Sequence, residues 1–260
     1  MTGAVMLCVA LTELTVALLA GRGPDAVPTA RHRLTGFGVG IAAVVVAVLA
    51  DALTGGGAAA TADPAMVLFT LALAVSVAAA WTAAGTRPWA SPVLVAVVLV
   101  IAAVEFTAFG AHPGAIRPTW LVLLGAVAFL VEPANRITRD VLVLAGRRTE
   151  AAPHPGAEAA DDTPDSAATD HGSGLQGGRY IGPVERILMG GLGMAGAYQV
   201  VAALMAAKGI VRFPEISADA GKGSRAEEFL VGSLTSWGLA FVAAVIVTGT
   251  LPVPLMEFTP

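Results

Sequence analysis

Seven stretches of this chain are apolar enough, and most are long enough, to leave it little choice of solvent. They run roughly over residues 3–20, 35–54, 65–84, 89–110, 117–133, 184–207 and 228–251. A helix needs about 20 apolar residues to cross the hydrocarbon core of a bilayer. Only 13% of the 260 residues carry charge, whereas a soluble domain carries about a quarter. The fold class that follows is all-α: a polytopic integral membrane protein with about seven transmembrane helices.

The fifth stretch is the irregular one. Pro133 follows about fifteen apolar residues, so this helix is short, begins early, or kinks at the proline. Beyond it, Ala134, Ile137, Val141, Leu144 and Ala145 recur at helical spacing opposite Arg136, Arg139 and Asp140. That pattern predicts an amphipathic helix lying in the membrane interface over 134–148. Residues 149–178 contain no Val, Ile, Phe or Trp and are rich in Ala, Asp, Gly, Pro and Ser. They cannot bury a core and read as a disordered acidic linker. The chain thus divides into a five-span unit (1–133), the interfacial helix (134–148), the linker (149–178) and a two-span C-terminal hairpin (179–260), a 5+2 arrangement. The first stretch lacks a basic n-region and a small-residue cleavage site, so it reads as a retained span. Cys8 is the single cysteine, which leaves no disulfide within the chain.

Orientation follows from the Lys/Arg asymmetry of the loops. With the N-terminus outside and the linker cytoplasmic, ten of the fifteen basic residues fall inside. Outside are Arg117 and four residues of the last loop: Lys208, Arg212, Lys222 and Arg225. The arginine-heavy composition fits a bacterial plasma membrane. Both lysines of the chain lie in the one breach of the rule, the segment Ala206–Glu228. Three readings are open. The loop crosses because Glu215, Asp219, Glu227 and Glu228 offset its cations; its cations are held there for use; or the sixth span is re-entrant and the loop is cytoplasmic.

Three separated runs occur around this breach: Arg179-Tyr-Ile-Gly-Pro-Val-Glu-Arg186, Ala206-Ala-Lys-Gly-Ile-Val-Arg-Phe-Pro-Glu215 and Arg225-Ala-Glu-Glu-Phe-Leu-Val-Gly-Ser-Leu234. Together they resemble the C-terminal hairpin of a family of bacterial multi-pass membrane proteins carrying a domain of unknown function. The family patterns are close to IG-x-LER, AAKS-x-x-RF-x-E and AE-Y-FLIGTLLS. The resemblance covers about 60 of the 260 residues. It departs at Gly209 for serine, Glu228 for tyrosine and Ser233 for threonine. It implies a membrane hairpin and brings no activity with it.

Lys208 and Arg212 are four apart and share a face if the sixth helix reaches them. Glu227 opens the last span, where its carboxylate suits the positive helix end. These groups predict either a salt-bridged clasp closing the hairpin, with Glu215 or Glu227 as acceptor, or a basic pocket for a phosphate or carboxylate. Phe213-Pro214 is expected to end the helix. At the other end of the span, Arg186 is expected to snorkel to headgroups and Glu185 to find an arginine of the interfacial helix. Glu13 and Glu105 sit within the first and fourth spans. An intramembrane acid is a functional hypothesis by default. No basic residue falls within a span core, so both are expected without a cation, protonated and bonded to nearby threonines, or lining a transport path. Asp51 is expected to be interfacial.

Gly191-Leu-Gly-Met-Ala-Gly196 matches the dinucleotide fingerprint but lies inside an apolar helix without a preceding strand, so that reading fails. Its small residues predict close helix packing against Ser233 and Ser236, with Gln199 bonding across. His32, His112, His154 and His171 have no metal-ligand spacing, and no catalytic constellation or cofactor motif is present. The expected activity is non-enzymatic: binding or moving a small anionic or lipid-headgroup ligand near the last hairpin. The alternatives are a structural or assembly subunit, with a partner membrane protein or a second copy, and a lipid-modifying enzyme. Nucleic acid is not an expected partner, since topology accounts for the arginines.

Overall fold

The computed structural model describes residues 1–20, 28–54, 64–85, 87–109, 119–146, 178–218 and 224–250. Every regular element among them is a helix: α1 (Thr2–Ala20), α2 (Ala30–Thr54), α3 (Pro64–Ala84), α4 (Ala90–Phe109), α5 (Thr119–Phe129), α6 (Glu132–Leu144), α7 (Gly178–Met194), α8 (Tyr198–Ala218) and α9 (Ser224–Thr250). Four of them, α1 to α4, together with α9 are long and apolar enough to cross a membrane. The pair α5 and α6 adds a sixth if its two pieces form one span. Linker residues 149–177 and the side chain of Asp51 lie outside the described residues.

The helices assemble around α1. It is apolar on every side, and a helix of that kind belongs in the interior. It packs against α2, α5, α3, α6 and α4, burying Ala4, Val5, Val9 and their neighbours against Val44, Ala78, Val98 and Val122. At its start the backbone of α5 comes into direct contact. A Cβ on Gly3 would fall 2.7 Å from Val122 Cα, and one on Gly125 would fall 2.5 Å from the Gly3 carbonyl oxygen. Two facing glycines therefore set this helix spacing, as small residues do between helices in lipid. The outward faces carry Leu18, Leu34, Leu68 and Val100, each more than 60% exposed.

The fifth stretch is a broken helix. After α5 the chain turns at Leu130 and Val131, and α6 starts with Pro133 in its first turn. There a missing N–H leaves no hydrogen bond unmade. The two axes meet at 43°. The sequence predicts an amphipathic helix in the membrane interface here, and an amphipathic helix is present over Glu132–Leu144. Pro133, Ala134, Ile137 and Leu142 are buried, and α6 packs against α9, α1 and α4. On its polar face Arg136 and Asp140 reach partners within the bundle, as described below, while Arg139 is exposed.

The sixth stretch departs from its predicted form. Residues 184–207 do not form one helix. α7 stops at Met194, and α8 begins at Tyr198. Gly196 takes φ +73°, its N–H bonds the Gly193 carbonyl, and the Ala197 N–H bonds that of Leu192. This pair of bonds is the Schellman ending of a helix, with glycine in the left-handed position. Gly190 packs 3.5 Å from the Ala240 carbonyl by the same Cβ criterion, and Ser233 and Ser236 are buried. Gly191, Gly193 and Gly196 meet no neighbour, and Gln199 is exposed, so the predicted close-packed face shrinks to one glycine. Nor does Pro214 end α8, which runs on to Ala218. Residues 210–214 are exposed there, so the Ile210 carbonyl that the proline leaves unbonded is not shut inside protein.

Candidate functional site

Four of the predicted charged side chains, Glu13, Glu185, Arg186 and Lys208, each meet a partner from another helix, in a series that starts from the α3–α4 turn. Arg136 on α6 donates from Nη2 to the Gly85 carbonyl and from Nη1 to Glu13 Oε1 at 2.6 Å. Its Nε lies 3.7 Å from Asp140 Oδ2, one helical turn on. Ser91, at the start of α4, donates to that same Asp140 oxygen. Trp81 Nε1 donates to Glu13 Oε1 at 2.6 Å, and the Arg136 guanidinium stacks 3.9 Å above the Trp81 ring. Glu13 is therefore neither cation-free nor satisfied by a threonine. The expectation fails because the cation comes from α6, whose bend carries Arg136 into the bundle.

Next to Arg136, Asn135 Oδ1 accepts from Arg186 Nη2. Arg186 does not snorkel. It is 2% exposed, held where α7 crosses the start of α6. Its neighbour Glu185 meets no arginine either. Lys208 Nζ donates to both Glu185 oxygens, at 2.8 and 2.7 Å, and Trp237 Nε1 donates to Oε1 at 2.9 Å. The Lys208 ammonium lies 5.6 Å from the centre of the Trp237 ring. Lys208 is thus ion-paired to Glu185 on α7, a different contact from the predicted clasp, whose acceptor is Glu215 or Glu227 across the last hairpin.

The two clusters share one design. Each consists of a carboxylate, a cation and a tryptophan from three different helices. In each, the carboxylate accepts from both the cation and the indole, and the cation sits over the indole face. The first uses α1, α3 and α6; the second uses α7, α8 and α9. Sequence reasoning missed both tryptophans. Their signal was present: a buried indole N–H needs an acceptor, and carboxylates are scarce in these helices.

Glu105 stands apart at the opposite end of α4. It accepts from the Met1 α-ammonium at 3.0 Å, the Thr2 N–H at 2.8 Å and the Thr2 hydroxyl at 2.7 Å. The threonine is Thr2 on α1 and not the neighbouring Thr107, whose hydroxyl donates to the Ala103 carbonyl, and the acid is not cation-free. Glu13, Glu105 and Glu185 all accept several donors, at least one of them cationic. Their oxygens are therefore already engaged by fixed donors.

Arg212 and Glu227 are both exposed. Arg212 lies one turn beyond Lys208 on α8, and Glu227 is in the first turn of α9. The apolar recess lined by Met6, Val98, Phe129 and Ile246 offers no polar group to orient a ligand. Among the described residues no group of three His, Cys, Asp or Glu side chains could hold a metal. No protein-family model, curated protein or solved structure matches the chain.

Proposed function

We propose that this is a non-enzymatic, multi-pass protein of the bacterial plasma membrane that binds an anionic group at the cytoplasmic foot of a re-entrant hairpin, α7–α8. The observation that supports this is the contact between Lys208 and Glu185. In a continuous helix, residues 23 positions apart lie about 34 Å from each other, far beyond the reach of two side chains. Their ion pair requires α8 to double back along α7. Between Arg186 and Lys208 the chain carries no charge. Folded at Gly196, that stretch reaches about 16 Å from its neck, roughly half of a hydrocarbon core.

The re-entrant path removes the one breach in the charge pattern. The membrane is then crossed six times, with the N-terminus outside and the linker inside. Lys208, Arg212, Lys222 and Arg225 join the cytoplasmic side, leaving Arg117 as the lone outer basic residue of fifteen. In this reading Glu185, Lys208 and Arg186 are structural and hold the neck closed. Arg212 is the residue that meets the ligand, with a guanidinium suited to bidentate contact with phosphate or carboxylate. The first two runs that resemble the membrane-protein family carry the two ends of this ion pair, and the third opens α9. They supply Glu185, Lys208 and the start of α9, which supports reading the motifs as the hairpin's closure.

A second reading, an assembly subunit, is favoured by the exposure of α8 along most of its length; a partner or a second copy would cover that surface. Thermal unfolding of the detergent-solubilised protein discriminates between the two. At constant ionic strength, inorganic phosphate in place of chloride is expected to raise the midpoint of wild type and leave Arg212→Ala unmoved. A phosphate at 100 times its dissociation constant stabilises by about 2.7 kcal/mol. Identical midpoints in the two salts for wild type count against the anion reading and in favour of the assembly one.

A further inference from the structure

Three arginines around the α3–α4 turn are left over from the contacts described above. The Gly85 carbonyl accepts from Arg136. The Arg33 guanidinium of α2 lies against the same glycine, where an added Cβ would fall 3.0 Å from Nη1. Arg87 follows two residues on, its N–H donating to the Ala84 carbonyl and its own carbonyl accepting from the Ala90 N–H. Arg31 stands in the first turn of α2, whose start is fixed by the His32 N–H donating to Thr29 Oγ1 at 3.3 Å. Arg136 has Glu13 and Asp140 as partners. The side chains of Arg31, Arg33 and Arg87 make no hydrogen bond, ion pair or ring contact among the described residues. Nor do local acids cancel them. Arg22, Arg31, Arg33, Arg87 and Arg136 stand against Asp25, Glu13 and Asp140, and on α6 Arg139 is balanced by Glu132, which leaves an excess of two positive charges. Trp89 lies on the same turn, 51% exposed. The indoles of Trp81 and Trp237 donate to carboxylates, whereas that of Trp89 has no acceptor among the described residues. Leu34, next to Arg33, is 67% exposed.

We infer that this turn is a docking surface for the headgroup of an anionic phospholipid. Arg33 and Arg87 engage the phosphate, Trp89 sits at the headgroup level, and Leu34 meets the acyl chains. The positive-inside rule accounts for arginines at this end of the helices, but it does not require them to stand unpaired around one turn. Charge complementarity selects an anion, and a guanidinium is the side chain suited to bidentate contact with a phosphate. Position selects a lipid over a soluble partner. α2, α3 and α4 are all long and apolar enough to span, and α3 and α4 are joined only by residues 85–89. So short a turn between two spanning helices stays at the membrane surface, where anionic headgroups gather cations. An exposed tryptophan with a free indole N–H is the residue that occupies this level, its ring in the apolar zone and its N–H toward water and headgroups. None of these side chains belongs to α7 or α8, so this site and the one at the hairpin can fail independently.

The full-length protein in detergent micelles doped equally with phosphatidylglycerol and phosphatidylcholine provides the test, with retained lipids counted by native mass spectrometry. Wild type is expected to keep phosphatidylglycerol in preference. Arg33→Ala and Arg87→Ala are each expected to lower that retention about fivefold, the share of one cation at an anionic surface. Arg33→Lys should keep most of it. Trp89→Ala should lower retention of both lipids together. Arg139→Ala, an exposed arginine of α6 outside the turn, should lower it much less. Unfolding midpoints in lipid-free detergent check that each variant folds, and Arg33→Lys carries the comparison if the alanine variant at Gly85 does not. No preference between the lipids in wild type, or an unchanged preference in Arg33→Ala and Arg87→Ala, overturns the inference. An equal loss in Arg139→Ala also overturns it, because the charge then acts as a diffuse field and not as a site. So does an acidic protein that copurifies with wild type and is lost with Arg33 and Arg87 while neither lipid is preferred.

Discussion

Arg136→Ala should cost the folded protein about 3–5 kcal/mol, the usual consequence of leaving a buried carboxylate without its cation. Arg136 is 13% exposed and its partner Glu13 is 15% exposed, so water cannot readily replace the lost charge. The substitution also removes the donor to Gly85 and the stacking over Trp81. Unfolding of the protein in mild detergent, followed by circular dichroism, should show a midpoint lowered by many degrees or no folded protein recovered. Arg136→Lys should restore only part of the loss. A point charge on a flexible stem cannot serve Glu13, Asp140 and the Gly85 carbonyl as a planar fork does. The decisive comparison is the double variant Glu13→Gln/Arg136→Met, which removes both charges. It should be more stable than Arg136→Ala alone, because the penalty lies in the orphaned carboxylate and not in the missing pair. A double variant as unstable as Arg136→Ala would mean that Arg136 acts through packing.

The second large effect belongs to the neck of the hairpin, and it is asymmetric. Glu185 accepts from Lys208 twice and from Trp237 once. Glu185→Ala therefore strips partners from an ammonium and an indole together, and should destabilise by about 2–4 kcal/mol. Lys208 is 31% exposed, so Lys208→Ala leaves a carboxylate that water can partly reach and that still holds Trp237. Its cost should be the smaller, about 1–2 kcal/mol. Reversing the pair, as Glu185→Lys/Lys208→Glu, should recover part of the sum of the two losses, with a coupling of about 1–3 kcal/mol between the sites. It cannot recover all of it, because Trp237 Nε1 would then face an ammonium. Equal losses for both single variants, with strict additivity in the reversal, would place the two residues too far apart to be a clasp.

The class of fold was legible because it depends on composition and run length, which need no partners. α1 to α4 and α9 lie close to their predicted bounds for that reason. The two helix breaks were written locally and read for something else. Pro133 was recognised as an irregularity whose outcome stayed open. Gly196 was read as a packing residue, although glycine after a run of helical periodicity is also the signature of a left-handed helix ending. Nothing in an apolar stretch of spanning length weighs against a single crossing except such a glycine. The charge breach at Lys208 to Arg225 was the second clue, and its re-entrant explanation was one of three left open.

The pairings were less legible because they depend on which helices meet. Glu13 and Arg136 lie 123 positions apart, and nothing local links them. The sequence places Arg136 on the polar face of an amphipathic helix, where Glu185 is the acid expected to find an arginine. In the structure Arg136 and Asp140 on that face meet Glu13 and Ser91, while Arg139 is exposed. For Lys208 the sequence points to an acceptor in the next loop, whereas its partner is Glu185 on α7. Only the turn at Gly196 makes Glu185 a neighbour. Arg212 and Glu227 were grouped with Lys208 by sequence, whereas the lysine's bonds run to Glu185 on α7.

That turn carries the account, and a distance across it is the most direct test. Ile181 and Phe213 are both exposed and tolerate spin labels introduced as cysteines in a Cys8→Ala background. A single spanning helix would hold these positions about 48 Å apart. The hairpin holds them near one another below the Glu185–Lys208 neck, at a label separation under about 30 Å given arms that fold back on each other. Double electron–electron resonance on the reconstituted protein should give one distribution centred at the shorter distance. A distribution near the longer one would mean that the sixth stretch crosses the membrane, and the clasp, the fourteen-to-one charge pattern and the cytoplasmic foot would go with it.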